Sequence, residues 1–326
     1  MSKTQSRNKQ DLVSIGVPVY NGEKYLAEAL ESILNQTYQN WECNIVNNCS
    51  TDNTEQIAQE FVKKDTRFRL HNYKEFFPIV PNWNRTVIHV SEDARYFKIV
   101  QADDRIDPAF LEEMVKVMEK YPTVGVCSSY RIDGKEIKCD GLDINDGQFY
   151  NGKEMLFRHL REDVDISGSA TTVLFKTDYL KKLPQYPEIH DVNDFHCDTQ
   201  LVFDMMNISD VGFVFKVLSY TRWHPGAYTS QICVVCKTFY HGKEIRLFKY
   251  KHLDPLLETD YRKHRTRYAY YLIEKYLKRD KKCLKWHLDH LQRPITFKEY
   301  MVAFIKLNFI SRQFSKIAKK ISRNSA

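Results

Sequence analysis

Residues 95–108 read Arg-Tyr-Phe-Lys-Ile-Val-Gln-Ala-Asp-Asp-Arg-Ile-Asp-Pro, and this stretch decides the fold. A short strand over residues 96–100 runs into two adjacent acids, Asp103 and Asp104, and the Asp-Pro pair at residues 107–108 then suits the start of a helix. Two carboxylates therefore follow the carboxyl end of a strand, which is the edge where open α/β sheets bind ligands. Paired acids there can bind a hard divalent cation through oxygen, and the cation can hold a diphosphate. A solvated acidic turn is the alternative, because two adjacent aspartates alone are a weak signal.

Short strands and helices alternate from residue 12 to residue 121, an order that is typical of βαβ units. A Val- and Ile-rich strand over residues 12–19 precedes an amphipathic helix over residues 23–36. A second strand over residues 41–46 precedes a polar turn and a further helix. The pattern predicts an α/β fold with a mostly parallel sheet, flanked by helices that connect its strands in right-handed crossovers.

The overall composition is that of a globular protein without extracellular features. The chain has 326 residues, of which 43% are hydrophobic and 28% charged, so it can bury a sizeable core. Its eight cysteines follow no framework spacing, which favours reduced thiols and a cytoplasmic setting. The first ten residues are polar, and no apolar run approaches the roughly 20 residues of a membrane span. We therefore expect neither a signal peptide nor a transmembrane helix.

Charge divides the chain unevenly. Residues 237–326 carry 23 Lys and Arg against 8 Asp and Glu, whereas the remainder carries 26 against 34. We predict an α/β domain over residues 1–226 and a basic, aromatic-rich helical extension over residues 227–326. A basic helical face with aromatic residues can lie on anionic lipid, so we expect peripheral contact with the cytosolic face of a membrane. Packing on the α/β domain and dimer contacts are the alternatives; nucleic acid is not expected, because no binding motif accompanies the charge.

Candidate binding residues fall at the ends of the predicted strands. Pro18 and Tyr20 end the first strand, Asn48 follows the second, and Asp103 with Asp104 follows a later one. These positions share one rim of a doubly wound sheet, where Tyr20 can stack on a base and Asn48 can hydrogen-bond its edge. No glycine-rich phosphate loop is present, so a metal ion and basic side chains would have to hold a diphosphate. That pattern argues against dehydrogenases and P-loop ATPases.

Together these motifs resemble the family 2 glycosyltransferases, which have the GT-A fold, a Rossmann-like α/β architecture. The resemblance covers roughly residues 11–226. It rests on residues 17–23 (VPVYNGE), 32–38 (SILNQTY), 48–52 (NCSTD) and 102–104 (ADD).

The resemblance implies roles for the rim residues. The acid at Asp104 coordinates Mn²⁺ or Mg²⁺ in that family, and its neighbour at Asp103 contacts the sugar nucleotide. Pro18, Tyr20 and Asn48 line the nucleoside pocket. The family usually has a second pair of aspartates where this chain has asparagines at residues 47–48. Asn48 keeps an acceptor for a uracil N3–H but lacks the charge.

Inverting members of the family need a general base at the head of a helix, and residues 197–203 (CDTQLVF) match that element. Asp198 is therefore the predicted base, with Asp191 and Asp194 as rivals. An N-cap role for Asp198 is the structural alternative.

Further donor contacts follow from the same resemblance. The family's Arg-x-His element corresponds to Arg222, which could neutralise the leaving diphosphate, and to His224, a candidate metal ligand or phosphate contact. A pair of strand-end surface residues is the alternative for these two. Asn84 and Arg85 sit where the family often has an Asn-Arg pair near the donor.

The predicted function is metal-dependent, inverting transfer of a sugar from a nucleotide-diphospho-sugar, with a UDP-sugar expected. The expected acceptor is a glycan or lipid-linked acceptor in surface polysaccharide synthesis. A nucleotidyltransferase also uses paired acids on an α/β sheet, but its usual glycine-rich loop is missing here. A non-catalytic sugar-nucleotide-binding module would need Asp103 and Asp104 but no base.

Overall fold

A computed structural model of the chain describes residues 10–161, 164–186, 197–227, 230, 238–291 and 293–305. The chain divides into two compact units, Met1–Trp223 and His224–Ala326. The assignment of separate roles to residues 1–226 and 227–326 stays a prediction.

The first unit contains one ten-stranded sheet and its flanking helices, within the residues that the structure describes. The strands are β1 Val13–Val19, β2 Trp41–Asn48, β3 Phe68–Tyr73, β4 Tyr96–Ile99, β5 Arg105–Ile106, β6 Val124–Asp133, β7 Glu136–Lys138, β8 Phe149–Tyr150, β9 Leu174–Lys176 and β10 Asp210–Thr221. The helices are α1 Leu26–Leu34, α2 Thr54–Lys64, α3 Ile79–Val87, α4 Phe110–Lys120, α5 Gly152–Leu160, α6 Thr177–Leu180 and α7 Cys197–Ile208.

The sheet has a parallel half and a mixed half. Its order is β3-β2-β1-β4-β9-β6-β10-β5, with β7 on β6 and β8 on β10. The first four strands are parallel, whereas β9 lies antiparallel between β4 and β6. Strands β6 and β10 are again parallel. The predicted α/β class is confirmed, and the carboxyl ends of β1, β2 and β4 share one edge.

Apolar packing on both faces holds this sheet. Every residue of β1 and β2 is buried, as expected for parallel strands covered by helices. Helix α1 turns Leu26, Leu30 and Ile33 into the core, and each such side chain contributes about 1.5–3 kcal/mol relative to exposure. The apolar residues that predicted alternating strands and helices are therefore the ones that are buried, at helical spacing on α1 and along the whole of β1 and β2.

Helix α3 packs unusually close to β1. A Cβ atom added at Gly16 would stand 2.5 Å from Cβ of Thr86, closer than real Cβ contacts. Any larger residue at position 16 would push α3 away from the sheet. This contact fixes α3, and hence Arg85, against the parallel half of the sheet.

Two segments differ from the sequence-based expectation. The Ser- and Thr-rich stretch over residues 167–176 predicts one strand from its sequence, but Ala170–Thr172 forms a 3₁₀ turn before β9. Ser169 and Thr172 bond reciprocally to each other's backbone, and such local bonds compete with strand pairing. Helix α4 begins at Phe110 rather than at Pro108, because Asp107 instead closes the preceding turn through the N–H of Ala109.

The second unit contains three long helices and a shorter helical segment in its described part. The helices are Thr238–Tyr250, Pro255–Leu277 and Lys281–His290, with residues 297–305 also helical. The fully buried guanidinium of Arg265, in Pro255–Leu277, pairs with Glu244 of Thr238–Tyr250 and with Glu299 of the segment at residues 297–305. Among the described helices of the whole chain, none combines the length and apolarity needed to cross a membrane.

Candidate active site

The two acids form a tight turn just beyond β4. The N–H of Asp104 donates to the carbonyl of Gln101 at 3.0 Å and closes the turn. Oδ1 of Asp104 accepts from the backbone N–H of Arg222 at 3.0 Å. The Arg222 side chain donates through Nε to the carbonyl of Asp103 at 3.1 Å, and its Nη2 pairs with Glu28. The structure therefore brings Arg222 to Asp103 and Asp104, from which it is more than 110 residues distant in the sequence.

Asp104 sits in an electrostatically costly place. Asp104 is only 3% exposed, and no group in the described part of the chain hydrogen-bonds to its Oδ2. Burial raises the pKa of Asp104 to about 7, and the charge of Asp103 adds to the rise. The Thr171 hydroxyl, the Arg222 N–H and the Arg131 guanidinium oppose it. A buried carboxylate oxygen without a partner is the feature of this turn that invites a cation.

The donor set fits a hard divalent cation that also binds the substrate. Carboxylate oxygen is the ligand that Mg²⁺ and Mn²⁺ accept, and Mg²⁺ in particular binds through one or two protein carboxylates plus substrate phosphates and water. Within the described residues no cluster of three or more His, Cys, Asp or Glu side chains forms a closed metal cage. Asp104, with the diphosphate of a donor, would therefore hold the ion.

Asn48 is engaged by the protein's own backbone. Its Nδ2 donates to the carbonyl of Phe77 at 2.7 Å, and its Oδ1 accepts from the N–H of Phe77 at 3.0 Å. Oδ1 also accepts from Nη1 of Arg85 at 2.9 Å. Both lone pairs of this oxygen are thus in use. The predicted contact from Asn48 to a base edge requires one of these bonds to open.

Arg85 stabilises the segment that follows β3. Its guanidinium lies between the rings of Tyr73 and Phe77, with centroid distances of 4.0 and 3.7 Å. Nη1 also donates to the carbonyl of Glu75 at 3.0 Å. The side chain is buried and contacts this loop, a role that the sequence did not suggest; Asn84 precedes it on α3. The donor contacts predicted for Asn84 and Arg85 remain predictions.

Two exposed aromatic rings line the same edge. Tyr20 is 49% exposed and Phe76 53% exposed, and their rings meet edge to face at 4.7 Å. Pro18 lies buried in β1 two residues before Tyr20. Rings exposed at the carboxyl edge of a parallel sheet offer stacking surfaces for a nucleoside base. Phe76 was not singled out from the sequence, although two adjacent phenylalanines in a polar segment are a usable signal.

The remaining predicted residues lie elsewhere. Asp198 is in the first turn of α7, where its Oδ1 accepts from the N–H of Thr199 at 2.7 Å. Helix α7 packs against α5 and β6. His224 belongs to the second unit, where its carbonyl accepts from the N–H of Ala227. Asp191 and Asp194 lie outside the described residues.

Two residues near the acids were not anticipated from the sequence. Lys98 is fully buried in β4, and the hydroxyl of Thr171 accepts from the N–H of Gln101 at 3.1 Å. A lysine inside an otherwise apolar strand was the available signal, since lysine is almost never fully buried without a partner. Thr171 could not be identified without knowing that residues 169–172 fold beside β4.

Comparison with known proteins identifies the family of the chain. Residues 14–183 match the family model described as Glycosyl transferase family 2. The chain is 28% identical over 201 residues to glycosyltransferase GlyG of Streptococcus pneumoniae, covering 58% of this chain and 63% of GlyG. It is 31% identical over 222 residues to an uncharacterized glycosyltransferase of Rickettsia typhi, covering 67% and 66%. The chain thus spans less than two thirds of the length of these relatives.

Solved structures show the same fold. One is S. aureus TarS residues 1–349 in complex with UDP-GlcNAc, at a TM-score of 0.55 and 18% identity, covering 72% of this chain and 66% of that one. Another is the mannosyltransferase PcManGT from Pyrobaculum calidifontis with GDP-Man and Mn²⁺, at a TM-score of 0.54 and 16% identity, covering 93% and 83%. The predicted GT-A fold is confirmed by these likenesses. The family model spans more than half of the chain, and the protein belongs to glycosyltransferase family 2.

Proposed function

We propose that this protein transfers a sugar from a nucleotide-diphospho-sugar to a glycan acceptor with inversion, using Mn²⁺ or Mg²⁺. The observation that carries the proposal is the buried carboxylate of Asp104, whose Oδ2 has no hydrogen-bond partner among the described residues. It stands beside Asp103 at the carboxyl edge of the parallel strands, where an α/β sheet binds its ligand. Family membership supports transfer of a sugar over transfer of a nucleotide.

The donor is proposed to be a UDP-sugar. The solved relatives bind sugar nucleotides, UDP-GlcNAc in one and GDP-Man with Mn²⁺ in the other. In this chain Tyr20 and Phe76 supply stacking surfaces, and Pro18 and Asn48 complete the nucleoside side of the rim. Arg85 contributes on the same side by fixing the loop at Phe77. The donor contact predicted for Asn84 stays a prediction.

Each residue has one proposed task. Asp104 would hold the cation, which when bound offsets the negative charge of the leaving diphosphate. The metal or phosphate contact predicted for His224 stays a prediction. Asp103 contacts the sugar nucleotide. Arg222 keeps the acid turn in place and adds positive charge near the diphosphate. Asp198 accepts the proton of the acceptor hydroxyl as that oxygen attacks the anomeric carbon from the face opposite the diphosphate, so the anomeric configuration inverts.

The acceptor is proposed to be a lipid-linked surface glycan at the cytosolic face of a membrane. One relative, 31% identical over 111 residues and 34% of this chain, is a putative teichuronic acid biosynthesis glycosyltransferase, TuaG of Bacillus subtilis. In the second unit, Phe297, Met301, Phe304 and Ile305 are all exposed and lie at helical spacing. These apolar residues share one helix face, and residues 237–326 around them carry a net positive charge. Both features favour binding to anionic lipid.

The donor and the metal can be tested together. Thermal shift with UDP-, GDP- and dTDP-sugars, each with and without Mn²⁺, should show stabilisation that needs both the nucleotide and the ion. Transfer to a supplied acceptor, with the anomeric configuration read by NMR, should give the inverted product. Full activity in EDTA, or a retained configuration, would contradict the proposal.

Membrane contact needs a separate test on the full chain. Changing Phe297, Met301 and Phe304 to Ser should weaken binding to vesicles that contain anionic lipid, because each apolar side chain contributes about 1.5–3 kcal/mol when buried. Binding should also fall with salt, as Debye screening predicts. The matched control changes the exposed Ile137 and Ile144 of the first unit to Ser. Equal binding by both variants would contradict a lipid role for residues 297–305.

A further inference from the structure

A lysine lies fully buried directly behind the acid turn. Lys98, in β4, is 0% exposed, although lysine seldom occurs in the interior. Its ammonium group donates to the carbonyl of Thr171 at 2.5 Å and lies 3.3 Å from the carbonyl of Val173. It also stands 3.8 Å from the centroid of the Phe110 ring. These three contacts can satisfy its three N–H donors.

The loop that Lys98 holds contacts the acid turn from behind. Thr171 Oγ1 accepts from the N–H of Gln101 at 3.1 Å and so fixes the first residue of the acid turn. The N–H of Asp104 in turn donates to the carbonyl of Gln101. A chain of contacts thus runs from Lys98 through Thr171 to Gln101 and Asp104.

The same loop is fixed from its other side. Thr172 Oγ1 accepts from the N–H of Ser169 at 3.1 Å and from Oγ of Ser219 at 3.3 Å. Gly168 adopts a φ of +58°, in the left-handed region, and an added Cβ there would meet the Thr172 hydroxyl at 2.6 Å. Hydrogen bonds therefore hold residues 168–173 from both sides, with the Thr171 carbonyl facing Lys98 of β4.

We propose that Lys98 is a positioning residue for the metal-binding acid: it holds residues 169–173 so that the Thr171 hydroxyl fixes Gln101, and with it the turn that carries the Asp104 carboxylate. The inference rests on the proposed function. Lys98 does not touch donor or acceptor, because it is buried. Groups that orient a metal ligand from behind typically change metal affinity 10- to 100-fold when they are removed.

The first test compares two buried lysines by calorimetric or paramagnetic titration of Mn²⁺ in the presence of UDP and, separately, of GDP. Lys98→Met keeps the volume but removes the donors, and should weaken Mn²⁺ binding at least 10-fold. The matched control is Lys176→Met. Lys176 is also buried and donates to the carbonyl of Pro122 at 2.8 Å, but its contact lies at another part of the sheet. Both variants should lower the melting temperature, and only Lys98→Met should change Mn²⁺ affinity.

The second test does not depend on the folding of Lys98→Met. Thr171→Val removes the hydroxyl at constant shape, and Thr171→Ser retains it. Thr171→Val should weaken Mn²⁺ binding at least 10-fold and lower kcat more than it raises the donor KM, whereas Thr171→Ser should stay within about 3-fold of the wild type. Wild-type Mn²⁺ affinity in both Lys98→Met and Thr171→Val would overturn the inference alone. A wild-type protein that binds no Mn²⁺ with either nucleotide would overturn the proposed metal dependence and the inference with it.

Discussion

The backbone N–H of Arg222 donates a 3.0 Å hydrogen bond to Oδ1 of Asp104, across 118 residues of sequence. The bond joins the residue after β10 to the turn after β4, two strands that β9 and β6 separate in the sheet. It occupies one oxygen of the carboxylate and leaves Oδ2 without a described partner. The protein thereby orients the carboxylate and keeps one oxygen for an external ligand.

Asp104→Asn should remove metal dependence while preserving the fold. The amide oxygen can still accept from the N–H of Arg222, but the charge that a divalent cation needs is lost. We expect a fall in turnover of about three powers of ten, which corresponds to roughly 4 kcal/mol. Stabilisation by nucleotide should no longer respond to Mn²⁺ in a thermal shift. Wild-type turnover by this variant would remove Asp104 from the site.

Asn48→Ala should weaken the binding of all nucleotides by similar factors. The change removes three hydrogen bonds to Phe77 and Arg85, each contributing about 1 kcal/mol, and frees the loop at residues 74–78. Because Oδ1 is already used by the protein, we expect UDP and GDP to lose affinity by similar factors of about 10. Calorimetry with both nucleotides measures this.

A direct contact between Asn48 and the base predicts a different result. If Asn48 hydrogen-bonds to the uracil edge, Asn48→Ala should weaken the binding of UDP far more than that of GDP. Asn40→Ala is the control, since Asn40 lies just before β2, at the opposite end of that strand, and its side chain donates to the carbonyl of Gln10. That variant should bind both nucleotides as the wild type does.

Parts of the fold were predictable because they depend on local pattern. Helix α1 and strands β1 and β2 follow from apolar spacing, and the acids after β4 follow from strand-end placement. The antiparallel insertion of β9 between β4 and β6 was not predictable, since strand order depends on pairings between distant segments. The polar bonds of Ser169 and Thr172 also replaced the expected strand with a turn.

The candidate site shows the same division. Asp104 and Tyr20 were candidates because both follow predicted strands at one rim of the sheet, and the structure places both at that rim; their roles stay predictions. The engagement of Asn48 by Phe77 could not be read from sequence, because the partner is a backbone group 29 residues away. Lys98 was visible as an anomaly in an apolar strand, but its partners come from a loop more than 70 residues later.

Acid should destabilise the fold through a stacked histidine pair. His71 and His89 lie with ring centroids 3.5 Å apart, and His71 Nε2 hydrogen-bonds with Asn44 at 2.9 Å. Burial, followed by the neighbouring His89 and Arg69, lowers the pKa of His71 to about 4, whereas Glu42 opposes the shift. Burial also lowers the pKa of His89.

The sign of the effect follows from proton uptake. An unfolded histidine takes up a proton near pH 6.5, whereas folded His71 resists it until about pH 4. The contribution of His71 to the free energy of unfolding is therefore fully present above pH 6.5 and is lost as the pH falls toward 4. In His71→Gln the free energy of unfolding should fall by about 1 kcal/mol less over this pH range than in the wild type. Solvent screening of the partly exposed rings keeps the difference this small. Urea unfolding between pH 7.5 and 4.5 measures it, with the exposed His252→Gln as control; parallel pH profiles for wild type and His71→Gln would contradict the assignment.

Asp198→Asn separates a catalytic acid from a structural one. The proposed base acts on the acceptor, so donor affinity by calorimetry should stay the same while kcat falls by roughly two to four powers of ten. If Asp198 only caps α7, asparagine is an equally good cap, and neither stability nor rate should change. The bond from the N–H of Thr199 to Oδ1 survives in either case, since the amide retains that acceptor. Asp204→Asn makes the same change two turns along the helix, where the carboxylate accepts from Gln185 and Gln200, and should leave transfer unchanged. A wild-type transfer rate for Asp198→Asn as well as for Asp204→Asn would exclude Asp198 as the base and direct the search to Asp191 and Asp194.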